Sequence, residues 1–231
     1  MKLSVIIPVY NEAGTILKVI DQVRKCGVPD LEILVVNDCS TDGTTGILAS
    51  LPPAADLRIF NHETNRGKGA GIRTAQEHIT GDAVIIQDAD LEYSPSEFPR
   101  MLSLIEEDKA DAVFGSRYSG SVILVDTFIH YLGNRMLTNF SNLCSNLHLS
   151  DMETCYKMVR ADLFRRFHLE CSRFGFEPEV TAKLARLHAR IYEVPIAYEA
   201  RPYEAGKKIG WRDGVAALWY IVKYNLLCRR I

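Results

Sequence analysis

The densest chemistry in this chain follows the apolar run Val84, Ile85 and Ile86, where Gln87 is succeeded by carboxylates at every second position, Asp88, Asp90 and Glu92. Two acids separated by one residue at a strand end can set oxygens around a hard divalent cation. Mg²⁺ or Mn²⁺ held by one or two carboxylates normally completes its shell with phosphate oxygens of a substrate. The pattern therefore points to a metal–diphosphate site. A solvated turn is the competing account, and a buried strand followed by a third acid argues against it.

A second cluster runs from Asn37 through Asp38, Cys39, Ser40, Thr41, Asp42 and Gly43 to Thr44. Asp38, just past a strand, can accept hydrogen bonds from a base or a ribose. Ser40 or Thr41 suits a helix cap, and Asp42 suits the positive end of that helix. A third cluster, Asn65, Arg66, Gly67, Lys68, Gly69, Ala70 and Gly71, is a glycine-rich basic turn opening a helix. Such a turn admits a phosphate or base close to the backbone, or serves as a flexible helix entry. It lacks the GxxxxGK[ST] pattern, and no strand leads directly into its glycines, which argues against a Walker loop and a dinucleotide fingerprint.

Two further features could do chemistry. Asp151, Glu177 and Glu179 are candidate general bases, or else carboxylates that start a helix or pair with an arginine. The stretch from Arg201 to Arg212 combines Arg201, Lys207, Lys208 and Arg212 with Gly206 and Gly210, as expected of a mobile loop that orders over bound anions.

These clusters must be positioned by the elements between them. Residues 3–7 read as a buried strand stopped by Pro8, and Ile16, Val19, Ile20 and Val23 predict a helix over about 13–25. Strands are predicted at 31–36, 57–60, 83–87 and 111–115, with a short helix ending near Ser50 and helices at about 69–79 and 96–107. The second half predicts helices at about 128–146 and 176–188, strands near 155–159 and 190–196, and a final helix. Apolar strands alternating with helices predict an α/β fold with a mainly parallel central sheet flanked by helices. Ligands of such sheets collect beyond the carboxyl ends of the strands, so the polar clusters at 8–12, 37–42, 88–92 and 116–118 should converge on one crevice.

With 231 residues, 47% of them hydrophobic and 24% charged, the chain suits one domain with a real core and excludes disorder and low-complexity architectures. No apolar run reaches the roughly 18–20 residues of a membrane span, and no basic-then-apolar leader opens the chain, so a cytoplasmic location is expected. Six cysteines without a CxxC pair argue against a zinc site or a disulfide framework; reduced, mostly buried thiols are expected. Residues 1–156 carry 12 Lys and Arg against 21 Asp and Glu, and residues 157–231 carry 15 against 8. An acidic half can hold cations and a basic half can meet an anionic partner. The apolar, aromatic segment from Val215 to Cys228 is too short to span a bilayer. It would lie in a membrane interface with Trp211, Trp219, Tyr220 and Tyr224 near headgroups and Arg229 and Arg230 near anionic lipid, or else pack on the core or another subunit.

Taken as a set, Pro8 to Glu12, Asn37 to Thr44, Asn65 to Gly69, Asp88 to Asp90 and Gly115 to Tyr118 resemble, in order and spacing, the family 2 glycosyltransferases with the GT-A fold. Within that family the chain is most similar to polyprenyl-phosphate sugar synthases of the dolichol-phosphate mannose synthase type, from about Leu3 to about Leu226. The resemblance implies a GT-A domain over 1–231, with 1–118 holding nucleotide sugar and metal and 119–231 serving the acceptor. It implies that Pro8, Tyr10, Glu12 and Asp38 hold the nucleoside and that Asp88, Asp90 and Glu92 hold Mg²⁺ or Mn²⁺ and the diphosphate, with Lys68 and Gly69 also at the substrate. Glu92 stands where the family often has Gln, which adds a negative charge. Arg117, Arg201 and Lys208 correspond to basic positions near the acceptor phosphate.

The implied reaction is inverting transfer of a hexose, mannose or glucose foremost, from a GDP- or UDP-sugar to a polyprenyl phosphate. Asp90 and Arg117 are the expected catalytic residues. Transfer to a saccharide hydroxyl, with Asp151 or Glu179 as base, is the alternative, and a non-catalytic nucleotide-sugar-binding subunit is a third reading. Peripheral contact with the cytoplasmic face of a membrane, a separate membrane subunit and no nucleic-acid partner are expected.

Overall fold

A computed structural model describes residues 1–120, 123–125, 127–173, 175–200, 211–228 and 230–231, with 211–213 described by backbone alone. The apolar runs form strands β1 (Leu3–Val9), β2 (Leu31–Asn37), β3 (Leu57–Asn61), β4 (Ala83–Ile86), β5 (Ala112–Ser116), β6 (Lys157–Arg160) and β7 (Ile191–Pro195). They make one seven-stranded sheet in the order β3-β2-β1-β4-β6-β5-β7. β1 pairs in parallel with β2 and β4, β2 with β3, and β5 with β7, while β6 runs antiparallel to both β4 and β5. The fold is α/β with a mostly parallel sheet, as expected. The second half of the chain supplies two of its strands.

β1 and β4 are buried along their whole length, which is why they read as unbroken apolar runs. Pro8 does not stop β1, contrary to expectation; it pairs in register with Val36. The β1–β4 ladder ends at Ile6 and Ile86, so the donor that Pro8 lacks would point to the side where β4 no longer pairs. Helix α1 (Ile16–Arg24) buries Ile16, Val19, Ile20 and Val23, the stripe read from the sequence. Helices α2 (Thr44–Ala49), α3 (Lys68–Gln76) and α4 (Phe98–Glu106) link the following strands, α3 packing on β1 and β2 and α4 on β5. In the second half α5 (Phe128–Ser145), α7 (Phe176–Arg186) and α8 (Trp211–Val222) pack on one another, and a short α6 (Ala161–Phe164) follows β6. All six cysteines are free thiols. Cys26, Cys155 and Cys171 are buried, but Cys39, Cys144 and Cys228 are half-buried, fewer inside than expected.

The end of the sheet away from the polar clusters is tied by a buried carboxylate. Glu32 accepts hydrogen bonds from Ser4 Oγ at 2.6 Å, Thr80 N at 2.6 Å and Thr80 Oγ1 at 2.9 Å, and pairs with Arg58 at 2.6 Å. Burial opposes its charge, but the bonds from Ser4 and Thr80 and the Lys2 ammonium outweigh burial and hold its carboxyl down at about 2. Because the folded value is depressed, its contribution is complete above the ordinary value of 4.5 and is lost as pH falls towards about 2. That contribution is on the order of 3 kcal/mol. Denaturant unfolding from pH 6 to pH 2.5 should show a steep acid loss of stability in the wild type and a shallower one in Glu32→Gln; parallel profiles would remove this role.

Candidate active site

The carboxyl ends of β1, β2, β4 and β5 bring the sequence clusters to one edge of the sheet. The loops after β1 and β2 are zipped together. Asn11, at φ 54°, donates its N–H to Ser40 Oγ at 3.0 Å and accepts from Thr41 N at 2.7 Å. Asp42 accepts from Ala13 N at 3.0 Å and from the hydroxyl of Thr44 at 2.6 Å, so it ties the β1 loop to the start of α2, the structural role its position suggested. Pro8 is buried in β1, Tyr10 is exposed beyond it, and Glu12 is half-buried, accepting from Thr15 Oγ1 at 2.9 Å.

Asp38 is buried. It accepts hydrogen bonds from Arg66 N at 2.9 Å and Gly67 N at 2.7 Å and pairs with His62 Nδ1 at 2.6 Å. Its carboxylate thus pins the turn that opens α3. The glycines of that turn answer to a neighbour the sequence did not reveal. A Cβ on Gly69 would lie 2.1 Å from the carbonyl oxygen of Cys171, and one on Gly67, at φ +92°, would lie 2.2 Å from that of Ser172. The close approach expected from a phosphate or base is made by the chain's own 171–172 backbone.

That backbone is braced by Glu179, which is fully buried and accepts from Glu170 N at 2.7 Å and Cys171 N at 2.9 Å, with Lys183 Nζ at 3.5 Å. Gly69→Ala must push two segments apart and should cost about 1–3 kcal/mol, as overpacking does. Thermal unfolding checks this, and a variant as stable as wild type would mean the contact yields freely.

Lys68, the first residue of α3, projects to the acidic cluster. Its Nζ lies 2.8 Å from Asp88 Oδ1, 3.0 Å from Glu177 Oε1 and 3.5 Å from Cys155 Sγ. Burial would discharge the ammonium, but the charges of Asp88 and Glu177 outweigh it and keep Lys68 cationic. Burial likewise opposes the Asp88 charge, and Lys68 overcomes it, holding the carboxyl below its ordinary value. Asp90 Oδ1 accepts from Glu92 N at 3.1 Å, with Leu91 between them at φ 65°. Glu92 Oε2 accepts from Tyr198 OH at 2.7 Å.

Among the described residues no three His, Cys, Asp or Glu side chains converge as a metal cage, so the expected trio of Asp88, Asp90 and Glu92 is not assembled as one. Asp88 and Asp90 still fit Mg²⁺ or Mn²⁺. Both offer hard oxygens at one strand end, Asp88 already faces a cationic group at 2.8 Å, and these metals need few protein ligands when phosphates supply the rest.

Arg117, just past β5, forms the other pole. Its guanidinium grips Asp151 in a fork, Nε to Oδ2 at 2.7 Å and Nη2 to Oδ1 at 2.8 Å, and lies over the rings of Tyr118 and Tyr198 at 5.6 and 5.3 Å. Asp151 is fully buried and also accepts from Arg117 N at 3.1 Å and Asn134 Nδ2 at 3.1 Å. Burial opposes its charge, and Arg117 and Asn134 hold its carboxyl below the ordinary value. Asp151 and Glu179, candidate bases in the sequence, thus accept hydrogen bonds from neighbouring groups of the fold. Arg201 and Lys208, with Lys207, lie outside the described residues.

The sequence reading missed Lys157, Glu153 and the link from Lys68 to Glu177. Lys157 is fully buried, donates to Met152 O at 2.7 Å and sits 4.9 Å from the Phe114 ring centroid; burial lowers its pKa against the pull of Glu177 and Glu153. Burial pushes the Glu153 carboxyl up to about 7, helped by the charge of Glu177 and eased by Lys157 and Arg117. The available signal was the pair of acids Asp151 and Glu153 just ahead of a short strand.

Residues 4–167 match the family model described as Glycosyl transferase family 2. The chain belongs to that family. The transferase is 31% identical to an undecaprenyl-phosphate mannosyltransferase of Micrococcus luteus, an alignment covering 99% of this chain and 96% of the relative. It is 30% identical to the low-salt glycan biosynthesis hexosyltransferase Agl6 of Haloferax volcanii over 91% of its own length, and spans 51% of that relative.

Among solved structures, the glucosyl-3-phosphoglycerate synthase of Mycobacterium tuberculosis, crystallised with Mn²⁺, uridine diphosphate and phosphoglyceric acid, matches with a TM-score of 0.71 at 19% identity, covering 98% of this transferase and 79% of that chain. TarS of S. aureus, residues 1–349 with UDP-GlcNAc, matches with a TM-score of 0.65 at 20% identity over 99% and 68%. These two likenesses establish the GT-A fold.

Proposed function

We propose that this transferase moves a hexose, mannose or glucose, from a GDP- or UDP-sugar to a polyprenyl phosphate, with inversion at the anomeric carbon and Mg²⁺ or Mn²⁺ as cofactor. The observation that carries the acceptor class is Arg117, whose guanidinium is held in a fork by the buried Asp151 at the rim of β5. Asp151 and Glu179, which a hydroxyl acceptor would recruit as bases, are buried and hydrogen-bonded within the fold. A phosphate monoester is mostly dianionic at neutral pH and needs positioning rather than deprotonation. A planar guanidinium suits that task.

At the other pole Asp88 and Asp90 would hold the metal, with Lys68 beside them for the diphosphate. When bound, the metal stabilises the charge developing on the leaving diphosphate. Asp38 acts on the nucleoside side through the turn it pins, and Pro8, Tyr10 and Glu12 line the approach. The undecaprenyl-phosphate mannosyltransferase relative, aligned over nearly its whole length, supports the lipid-phosphate acceptor. In this reading Arg201 and Lys208 join Arg117 at that phosphate.

Two helices supply a surface for a lipid substrate. α5 turns Phe128, Ile129 and Met136 outward at 72%, 79% and 63% exposure, and its neighbour α8 does the same with Val215 and Trp219 at 58% and 56%. Tyr224, expected near headgroups, is instead buried, and Tyr220 stacks on it at 6.0 Å. No described helix is long and apolar enough to cross a membrane. Outward apolar side chains on adjacent helices support peripheral contact with the cytoplasmic face of a bilayer or with a separate membrane subunit.

A panel of GDP-mannose, UDP-glucose and UDP-N-acetylglucosamine, each offered short polyprenyl phosphates or free sugars with and without Mn²⁺, tests the reading by nucleotide release. Release should need the lipid phosphate, the metal and one of the two hexose donors. Release with free sugars alone would replace the acceptor, and activity untouched by a chelator would remove the metal.

A further inference from the structure

Three buried side-chain oxygens beside the two poles have no hydrogen-bond partner: Glu153 Oε1, Asn134 Oδ1 and Thr154 Oγ1. An acceptor shut away from water without a donor is costly, so each such atom in a native fold calls for an explanation, a ligand that completes it being one. Their place in the chain is telling. Two residues before Glu153, Asp151 grips Arg117, and Asn134 Nδ2 holds that same carboxylate. Two residues after Glu153, the Cys155 thiol lies 3.5 Å from the Lys68 ammonium, which reaches Asp88. Glu153 also feels the charges of Arg117 and Asp151 and that of Glu177, which pairs with Lys68 at 3.0 Å.

We propose that Glu153, with Asn134 and Thr154, reads the hydroxyl groups of the transferred hexose and so contributes to donor-sugar specificity. This rests on the donor reading above. The amide oxygen of Asn134 accepts and cannot donate, and so does Glu153 whenever it is ionised, so a partner that brings O–H groups completes both. A phosphate dianion brings none and is repelled by the ionised Glu153. A hexose brings several. Displacement at an anomeric carbon also requires the sugar to lie between the leaving diphosphate and the attacking phosphate. Asp88 with Lys68 and Arg117 with Asp151 mark those two positions, and the segment from Asp151 to Cys155, which carries Glu153, touches Arg117 at one end and Lys68 at the other.

The test compares calorimetric affinities of wild type, Glu153→Ala and Glu153→Gln for UDP, UDP-glucose, GDP and GDP-mannose in Mn²⁺, with thermal unfolding confirming that each variant is folded. Glu153→Ala should weaken binding of the sugar nucleotide by about tenfold, the scale of one hydrogen bond to a charged group, and leave the bare diphosphate unchanged. Glu153→Gln keeps an acceptor oxygen of the same reach and should lose less.

Equal weakening of both ligands, or no weakening of either, would overturn the proposal. Lost turnover with an unchanged affinity ratio would also overturn it and assign Glu153 to proton transfer. Wild-type protein that binds none of the four ligands would instead sink the donor reading, and this assignment with it.

Discussion

Asp90→Asn should lower kcat by about a thousandfold, since removing one of two carboxylates from a cation on a leaving diphosphate forfeits several kcal/mol of charge stabilisation and each 1.36 kcal/mol is a factor of ten. The amide keeps an oxygen for the hydrogen bond from Glu92 N, so the turn at Leu91 and the stability of the fold should survive. Single-turnover rates in saturating Mn²⁺, beside an unchanged unfolding midpoint, check this. A variant retaining a tenth of wild-type activity would place the metal elsewhere.

Arg117→Ala should have two separable effects. It leaves the carboxylate of Asp151 buried without its forked partner, a loss of about 3–5 kcal/mol in stability for a broken buried pair. It also removes the cation proposed to hold the acceptor phosphate, so kcat/KM for polyprenyl phosphate should fall by at least about a hundredfold, a loss of roughly 3 kcal/mol for a charge-assisted contact. The two effects part company in Arg117→Met combined with Asp151→Asn, which removes both charges of the pair. That pair should regain most of the stability and none of the acceptor use. If it recovers activity together with stability, Arg117 is a structural residue alone.

Much of the architecture was readable because strands buried on both faces must be apolar throughout. β1, β2 and β4 announce themselves, and the i, i+3, i+4 stripe of α1 does the same. β6 was harder to place. Four residues, Lys157 to Arg160, pair antiparallel with partners such as Ala83 that lie far away in sequence, so nothing local records their direction. Pro8 was misjudged because whether a missing donor matters depends on where the neighbouring strand stops pairing.

The site divides along the same line. That acids, a glycine turn and an arginine gather beyond the strand ends follows from parallel-sheet topology. What each group faces does not. The sequence left Asp151 and Glu179 open between a base and a paired carboxylate; one is clamped by Arg117 and the other by two amides of the 170–171 backbone. Gly67 and Gly69 look like a ligand cradle and are instead the seat of the 171–172 carbonyls. Glu153 and Lys157 drew no notice, since a charge declares itself only once tertiary packing has buried it.

A hexose passing between the Asp88 pole and the Arg117 pole onto a lipid phosphate leaves a product that can be weighed. Mass spectrometry of the organic phase, after incubating the protein with GDP-mannose or UDP-glucose, a short polyprenyl phosphate and Mn²⁺, tests that transfer most directly. The expected product is a polyprenyl phosphohexose, formed in step with nucleoside diphosphate and absent when the metal is chelated. Free hexose as the sole product from either donor, with the lipid phosphate recovered unchanged, would contradict it.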